Sequence, residues 1–126
     1  MHAVDANVLV RLIVRDDARQ TAAAEEFIQR GAWISHVVLA ETPWVLAAVY
    51  DVDASGIAIA VEMLLQHQSL AVQDPDVVQA AVAQYRKTPA LGFPDCLIVE
   101  IARKAGHVPL GTFDRTLSRL EGVERV

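Results

Sequence analysis

Short apolar segments alternate with longer segments of helical periodicity along this chain, and the alternation restricts the fold more than any other feature. The apolar segments have the length of strands, and the longer ones place their apolar residues on one side of a helix. Such a pattern favours a parallel sheet with right-handed crossovers and helices on both faces. We therefore predict an α/β fold, a three-layer α/β/α sandwich around a mostly parallel sheet of four to five strands. The predicted strands are the residues before Asp5 and residues 32–34, 70–72, 108–113 and 123–126.

Residues that favour helix caps mark where the predicted helices begin. The predicted N-caps are Asn7, Asp17, Ser35, Asp53 and Asp74. The predicted helices are residues 8–14, 18–30, 36–50, 54–68, 75–86 and 93–105, followed by a helical turn at 115–120. Pro43 lies inside the third helix and should kink or restart it, because its nitrogen cannot donate a hydrogen bond. In the second helix, Ala18, Ala22, Phe27 and Ile28 are expected to face the core.

Length and composition indicate one domain, residues 1–126, with a core of Val, Leu, Ile and Ala. No apolar run approaches the ~20 residues that cross a bilayer, and the first residues do not resemble a signal peptide. A single cysteine, Cys96, excludes an intramolecular disulfide and a cysteine-based zinc site. We expect a cytoplasmic protein. Its net charge of −5 argues against a general nucleic-acid coat protein, but not against an enzyme that meets nucleic acid through a bound cation.

Carboxylates occupy unusual places in this sequence. Asp5 and Asp114 each end an apolar strand, Glu41 lies in an apolar helix, and Asp95 stands in the first turn of the sixth helix. Taken singly, each has another interpretation, because the aspartates could cap helices or meet a helix dipole and Glu41 could face solvent. Together they favour a hard cation, since strand-end residues of a parallel sheet meet at one edge and the chain has few basic partners for buried acids. Mg²⁺ or Mn²⁺ is the cation that fits such oxygen ligands.

Four segments that carry these acids resemble the PIN-domain nucleases, and among them the VapC-type toxins of bacterial toxin–antitoxin pairs. The segments are Val4-Asp-Ala-Asn-Val-Leu9, Val38-Leu-Ala-Glu41, Phe93-Pro-Asp-Cys-Leu-Ile98 and Thr112-Phe-Asp-Arg115. The resemblance covers the whole chain in the order typical of the family. It implies a metal-dependent endoribonuclease of compact α/β/α fold. It also implies a homodimer, held inactive by a VapB-type antitoxin that inserts a peptide near the acidic site.

By that resemblance, Asp5, Glu41, Asp95 and Asp114 correspond to the acidic quartet of the family. The resemblance also assigns supporting roles to Asn7, which stands beside the first aspartate, and to Thr112, which precedes the last one by two residues. We expect Asp5, Asp95 and Glu41 to bind a first Mg²⁺ directly or through water, and Asp114 to complete that site or to hold a second ion. A water activated by the metal would attack the phosphodiester phosphorus in line.

Two departures from the family pattern bear on the geometry of the quartet. Pro94 stands where a small residue is usual, and Pro43 follows Glu41 where an uninterrupted helix is usual. Either proline could shift a carboxylate, although a proline at the first helical position is harmless.

Among the basic residues, Arg11 and Arg115 are the candidates for holding the RNA backbone, and Arg115 is the better placed because it follows Asp114 directly. Trp33 and Trp44 could stack bases but are expected in core or dimer packing, and Cys96 is expected in the core. Glu100, about one helical turn beyond Asp95, could reach the site but is expected in solvent. The four histidines show no ligand spacing.

Two other functions fit the same fold. One is a metal-dependent phosphatase or phosphoaspartyl protein, but phosphoaspartyl phosphatases carry a second aspartate two residues after the nucleophile, where this chain has Asn7. The other is a binding module that has lost its activity, which the complete quartet disfavours. Nothing in the sequence reads out a base, so the RNA target stays open.

Overall fold

The computed structural model describes residues 1–126 and contains five strands and six helices. The strands are β1 (His2–Ala3), β2 (Ala32–Ile34), β3 (Leu70–Val72), β4 (Leu110–Thr112) and β5 (Val123–Arg125). The helices are α1 (Ala6–Val14), α2 (Ala18–Ile28), α3 (His36–Tyr50), α4 (Ala54–Gln66), α5 (Pro75–Lys87) and α6 (Phe93–Ala105). Two 3₁₀ turns, Pro89–Leu91 and Leu117–Arg119, complete the secondary structure.

All strand pairs are parallel, and hydrogen bonds divide the five strands into two sheets. In the first sheet β2 lies between β1 and β3, with His2 opposite Ala32 and Ala32 opposite Leu70. In the second sheet β4 pairs with β5, with Leu110 opposite Val123. The predicted α/β class with parallel strands is confirmed. A single sheet is not formed, because β1 contributes only two residues to a ladder and pairs with β2 alone.

Three predicted N-caps are confirmed by their hydrogen bonds. Asp17 accepts from the backbone N–H of Gln20 at 2.9 Å, Ser35 from that of Val38 at 3.2 Å and Asp53 from that of Gly56 at 2.8 Å. Each bond satisfies one of the N–H groups that have no partner within the first turn.

Of the two other predicted caps, Asn7 is wrong and Asp74 is confirmed in its position but not as a side-chain cap. Helix α1 begins two residues earlier than expected, and Asp5 rather than Asn7 is its N-cap, accepting from the N–H of Val8 at 3.1 Å. Asp74 precedes α5 as predicted, but its backbone has φ 44° and its side chain caps nothing. Its carboxylate instead lies 3.2 Å from Nζ of Lys104. The carboxylate of Asp74 binds the ammonium group of Lys104 on α6 instead of a backbone N–H at the start of α5.

The inward face of α2 differs from the predicted stripe. Thr21, Ala24 and Ile28 are buried, whereas Ala18 and Ala22 are exposed. Phe27 is also exposed and stacks on His2, with ring centroids 4.5 Å apart. The prediction failed because alanines occur on both sides of this helix and do not fix which side is buried.

Helix α3 continues through Pro43, so the predicted restart does not occur. The hydroxyl of Thr42, the residue before the proline, donates to the carbonyl of Val38 at 2.7 Å. Both Thr42 and Pro43 are buried, whereas Trp44 is 68% exposed and is not part of the core.

A single cluster of buried apolar residues fills the space between the helices and the first sheet, and Leu117 extends it to the second. Burying each leucine or valine stabilises the fold by about 1.5–3 kcal/mol. Helix α3 packs against both α1 and α6. The helices that carry Asp5 at their start, Glu41 and Asp95 are therefore neighbours. None of the six helices combines the length and the apolar character needed to cross a membrane.

Candidate active site

Asp95 and Asp114 are two predicted site acids whose charges the fold brings within reach of each other. Asp95 lies in the first turn of α6 and is half-buried, and Asp114 follows β4. The pKa of Asp95 is raised above its ordinary value, first by burial of the carboxyl group and second by the negative charge of Asp114. The fold therefore brings carboxylates from two separate segments within electrostatic reach of each other.

The backbone around Asp114 is held by two local hydrogen bonds. Its N–H donates to Oγ1 of Thr112 at 3.0 Å, and its Oδ1 accepts from the N–H of Leu117 at 2.9 Å. The aspartate thus caps the 3₁₀ turn that follows β4, and Thr112 orients the residue. One carboxylate oxygen of Asp114 is left for another ligand.

Asp5 has a similar local arrangement at the other strand end. The chain leaves β1 with the N–H of Val4 donating to the carbonyl of Trp33 at 3.2 Å, and Asp5 then caps α1 through Oδ1. Asp5 is exposed, as are Asn7, the second residue of α1, and Glu41 on α3. Asn7 and Glu41 form no side-chain hydrogen bond or ion pair, so both are free to take part in a site.

The side chains as they stand do not form a ready metal cage. No group of three or more histidine, cysteine, aspartate or glutamate side chains is arranged to hold a metal ion. The pair of Asp95 and Asp114 is brought together, and Asp5 and Glu41 are on neighbouring helices. Binding by all four acids stays a prediction.

The chemistry of these donors nevertheless fits a hard divalent cation. Mg²⁺ is often held by only one or two carboxylates, with waters and substrate phosphates as the other ligands. Asp95 and Asp114 supply two carboxylates whose mutual repulsion a cation would relieve. Glu41 offers further oxygen atoms from α3, which packs against α6, and Asp5 offers them from the start of α1, which packs against α3.

Arg11 and Arg115, the two arginines predicted to hold RNA, differ in whether they already bind other side chains. The guanidinium of Arg11 is 2.7 Å from Asp16, donates to the hydroxyl of Tyr50 and lies over that ring, 5.5 Å from its centroid. Arg115 is exposed and forms no ion pair. Of the two arginines predicted to hold RNA, Arg115 is the one that is free. Both assignments stay predictions.

Cys96 and Glu100 follow Asp95 on α6, and one of the two differs in burial from the prediction made from the sequence. Cys96 is buried as predicted, and burial together with the charges of Asp95 and Glu100 raises the pKa of its thiol to about 11. Glu100 was expected in solvent, but it is half-buried and lies 3.5 Å from Arg103. The spacing of Cys96 and Glu100, one helical turn, could have indicated that Glu100 shares the surroundings of Asp95.

A cleft of about 740 Å³ lies elsewhere, between α1, α2, α4 and the start of β3. It is lined by Leu12, Ile28, Met63 and His67, among others, and contains none of the predicted site acids. Asp5 and Asp114 follow β1 and β4 and are exposed, as is Glu41 on α3, whereas Asp95 is half-buried.

Comparison with known proteins agrees with this arrangement. The family model described as "PIN domain" matches residues 3–123. Neither the curated proteins nor the solved structures contain a match to the chain. PIN domains are generally nucleases that bind nucleic acid and use divalent metals such as Mg²⁺ or Mn²⁺. Because the match covers nearly the whole sequence, the chain belongs to the PIN domain family.

Proposed function

We propose that this protein is a Mg²⁺- or Mn²⁺-dependent endoribonuclease that acts as the toxin of a type II toxin–antitoxin system. The observation that carries the proposal is the pair of Asp95 and Asp114 within a PIN domain. Burial and the negative charge of Asp114 raise the pKa of Asp95, and carboxylates perturbed in this way are typical of functional sites.

The residues of the chain would share the work as follows. Asp95 and Asp114 hold the cation, and Asp5 and Glu41 complete its surroundings directly or through water. A bound Mg²⁺ or Mn²⁺ supplies positive charge against the phosphate and makes a coordinated water more acidic. Thr112 keeps Asp114 in place through its contact with the backbone N–H. Asn7 is the second residue of α1, in its first turn, where its amide can orient Asp5 or a water.

The toxin assignment is supported by the sequence resemblance to VapC-type proteins. It implies a VapB-type antitoxin as partner and a homodimer. The exposed Val37 and Trp44 lie seven residues apart on one side of α3, and this apolar surface supports a protein partner, because large apolar side chains rarely cluster in water without one. The cytoplasmic location predicted from the sequence goes with this role, because cellular RNA is found there, and it stays a prediction.

The nuclease is tested by incubating the protein with end-labelled single-stranded RNA in Mg²⁺, in Mn²⁺ and in EDTA. We expect internal cleavage with either metal and none in EDTA. Asp95→Asn and Asp114→Asn should each lower the cleavage rate at least about 100-fold, in the range seen when a group that stabilises developing charge is removed. A phosphomonoester substrate should remain intact, which separates a nuclease from a phosphatase.

The matched control is Asp76→Asn. Asp76, like Asp95, is an aspartate in the first turn of a helix, but it lies on α5 and pairs with Lys104 at 3.0 Å. This variant should cleave RNA at the rate of the unchanged protein. Cleavage that persists in EDTA, or that survives both Asp95→Asn and Asp114→Asn, would contradict the proposal.

A further inference from the structure

The second sheet and the turns around it form a unit that is attached to the rest of the molecule mainly by apolar contacts. This second-sheet unit comprises residues 109–126 and carries Asp114 and Thr112. Its strands pair only with each other, and its backbone hydrogen bonds begin and end within the unit. Leu117 is buried in the core, and Leu120 and Val123 pack against it. The hydrophobic effect has no preferred direction, so these contacts hold the unit in place but do little to fix its orientation.

One hydrogen bond joins the second-sheet unit to the rest of the chain, and Arg103 on α6 donates it. Nη2 of the arginine donates to the backbone carbonyl of Glu121. The same guanidinium lies against Gly122, where an added Cβ would be 3.7 Å from Nη1. Its Nε is buried, forms no hydrogen bond and lies 3.5 Å from Oε1 of Glu100, one turn earlier on α6. The planar guanidinium therefore spans from an acid on α6 to the backbone of the second-sheet unit.

Further hydrogen bonds lead from this contact to one of the site acids. The carbonyl of Gly122 accepts from the N–H of Leu110 at 2.9 Å, and Leu110 is the first residue of β4. Strand β4 is paired with β5 along its whole length. At its far end, Oγ1 of Thr112 accepts from the N–H of Asp114 at 3.0 Å. The position of Asp114 therefore depends on the position of the turn that Arg103 holds.

Helix α6 carries the partner acid as well as the arginine. Asp95 stands in its first turn and Arg103 in its last. Eight residues at 1.5 Å each separate the two by about 12 Å along the helix. Because Asp114 lies within electrostatic reach of Asp95, a rotation of the second-sheet unit by about 10° around Arg103 would move Asp114 by about 2 Å. Side chains of a functional site must be held to within about 0.5 Å, so such a rotation would disrupt the pair.

We propose that Arg103 is a positioning residue that sets the distance between Asp95 and Asp114 through its hydrogen bond to the carbonyl of Glu121. The inference rests on the proposed function, in which the two carboxylates hold a divalent cation. Arg103 acts through the second-sheet unit and not on the cation or the RNA. Its loss leaves both carboxylates in the chain but no longer at the separation that one cation bridges.

The charge of Arg103 separates this role from a simple electrostatic one. A positive guanidinium repels an added cation, so removing its charge alone would strengthen the binding of Mn²⁺. Removing a contact that positions the carboxylates weakens the binding instead. The two effects have opposite signs, and the direction of the change in Kd distinguishes them.

The test measures the affinity of the full chain for Mn²⁺ in the absence of RNA. Electron paramagnetic resonance reports the free Mn²⁺ during a titration and gives Kd. Arg103→Met keeps a long apolar stem and removes every donor. We expect it to weaken Mn²⁺ binding about tenfold, as the loss of a group that orients metal ligands does. Arg103→Lys retains the charge and a donor for the same carbonyl, and it should recover most of the lost affinity.

The matched control is Arg86→Met. Arg86 on α5 pairs with Glu62 on α4, so it also joins two elements through its guanidinium, and neither helix carries a predicted site acid. The substitution removes the same charge and the same donors as Arg103→Met. It should leave the Kd for Mn²⁺ unchanged.

Hydrogen exchange of the metal-free protein gives a second measurement, independent of binding and cleavage. The amides of Leu110 and Val126 donate across the second sheet, to Gly122 and Thr112. In Arg103→Met these amides should exchange about tenfold faster, because the second-sheet unit opens more often. The amides of β2 should exchange at their original rate.

Two results would overturn the inference. An Mn²⁺ Kd in Arg103→Met equal to or lower than that of the unchanged protein would show that the arginine does not set the pair; metal-dependent cleavage of RNA would then leave the nuclease standing. Faster exchange throughout the chain, β2 included, would show that Arg103 stabilises the whole fold rather than one unit. If Mn²⁺ binding weakened as expected but no RNA was cleaved by the unchanged protein, the nuclease would fall and the positioning role would remain.

Discussion

Asp5 has two roles that a suitable pair of substitutions can separate. Its Oδ1 caps α1 by accepting from the N–H of Val8 at 3.1 Å, and its carboxylate is a predicted metal ligand. Asn retains an oxygen in the same position and is as good an N-cap as Asp, whereas Ala has none. Asp5→Asn therefore removes the charge and preserves the cap, and Asp5→Ala removes both.

The expected magnitudes follow from this geometry. Loss of an N-cap costs about 1 kcal/mol, and loss of a negative charge from an exposed helix N-terminus about 0.3–1 kcal/mol. For a chain of 126 residues, a change of 1 kcal/mol corresponds to roughly 3–5 °C in Tm. We expect Asp5→Ala, which loses both contributions, to lower Tm by about 4–10 °C, and Asp5→Asn, which loses only the charge, by about 1–5 °C. Both should lose metal-dependent cleavage of RNA, at least about 100-fold in rate.

Asp53 provides the matched control for both substitutions. It caps α4 in the same way, accepting from the N–H of Gly56 at 2.8 Å, and is not among the predicted ligands. Asp53→Ala should lower Tm as much as Asp5→Ala and still cleave RNA well below its Tm. Differential scanning calorimetry and a cleavage time course give the two quantities. Full activity in Asp5→Asn would refute the metal role of Asp5, and loss of activity in Asp53→Ala would show that the assay reports stability rather than chemistry.

Two other predictions concern the exposed side of α3 next to Glu41 and the ion pair between Lys104 and Asp76. If α3 forms the dimer interface, Trp44→Glu should convert the protein from dimer to monomer in sedimentation experiments. The control Ile59→Glu, at an exposed position on α4, should leave the dimer intact. A dimer that persists in Trp44→Glu would exclude α3 as the interface. The hydrogen bond from Lys104 lowers the pKa of Asp76 in the folded protein. The contact therefore stabilises the fold at pH values above the ordinary pKa of 3.8, and this stabilisation is lost as the pH falls through the lower pKa of the folded state. In Lys104→Gln the pKa of Asp76, followed by NMR, should rise toward 3.8, and an unchanged titration would contradict the contact.

The sequence predicted correctly those features that are determined by residues close to one another in the chain. β2 and β3 were predicted residue for residue, because short apolar runs between polar residues have few other structures. The caps at Asp17, Ser35 and Asp53 were also correct, since an N-cap acts on residues within its own turn. Asp5 and Asn7 are both good caps two residues apart, and nothing local determines which of them begins α1. The fate of Asp74 depended on Lys104, thirty residues later, which no local pattern contains.

The site also has features that the local sequence determines and features that depend on how distant segments pack. That Asp5 and Asp114 end strands could be predicted from the apolar runs before them, and the position of Asp95 in the first turn of α6 followed from Pro94. The distance between carboxylates depends on how α1, α3, α6 and β4 pack, and the sequence could not provide it. The raised pKa of Asp95 is the first sign of such proximity, because it requires both burial and the charge of Asp114.

The structural and chemical interpretations of these aspartates turn out to be compatible. Asp5 and Asp114 each use one carboxylate oxygen to accept from a backbone N–H at the start of a helical turn, and Asp95 lies in the first turn of α6. The N-terminus of a helix carries partial positive charge, which lowers the cost of holding a carboxylate there. The second oxygen of each cap remains free and points away from the bonded N–H. A helix start at the end of a strand can therefore fix an acidic side chain in place and present it to a cation, and loss of the cap would move the ligand as well as weaken the helix.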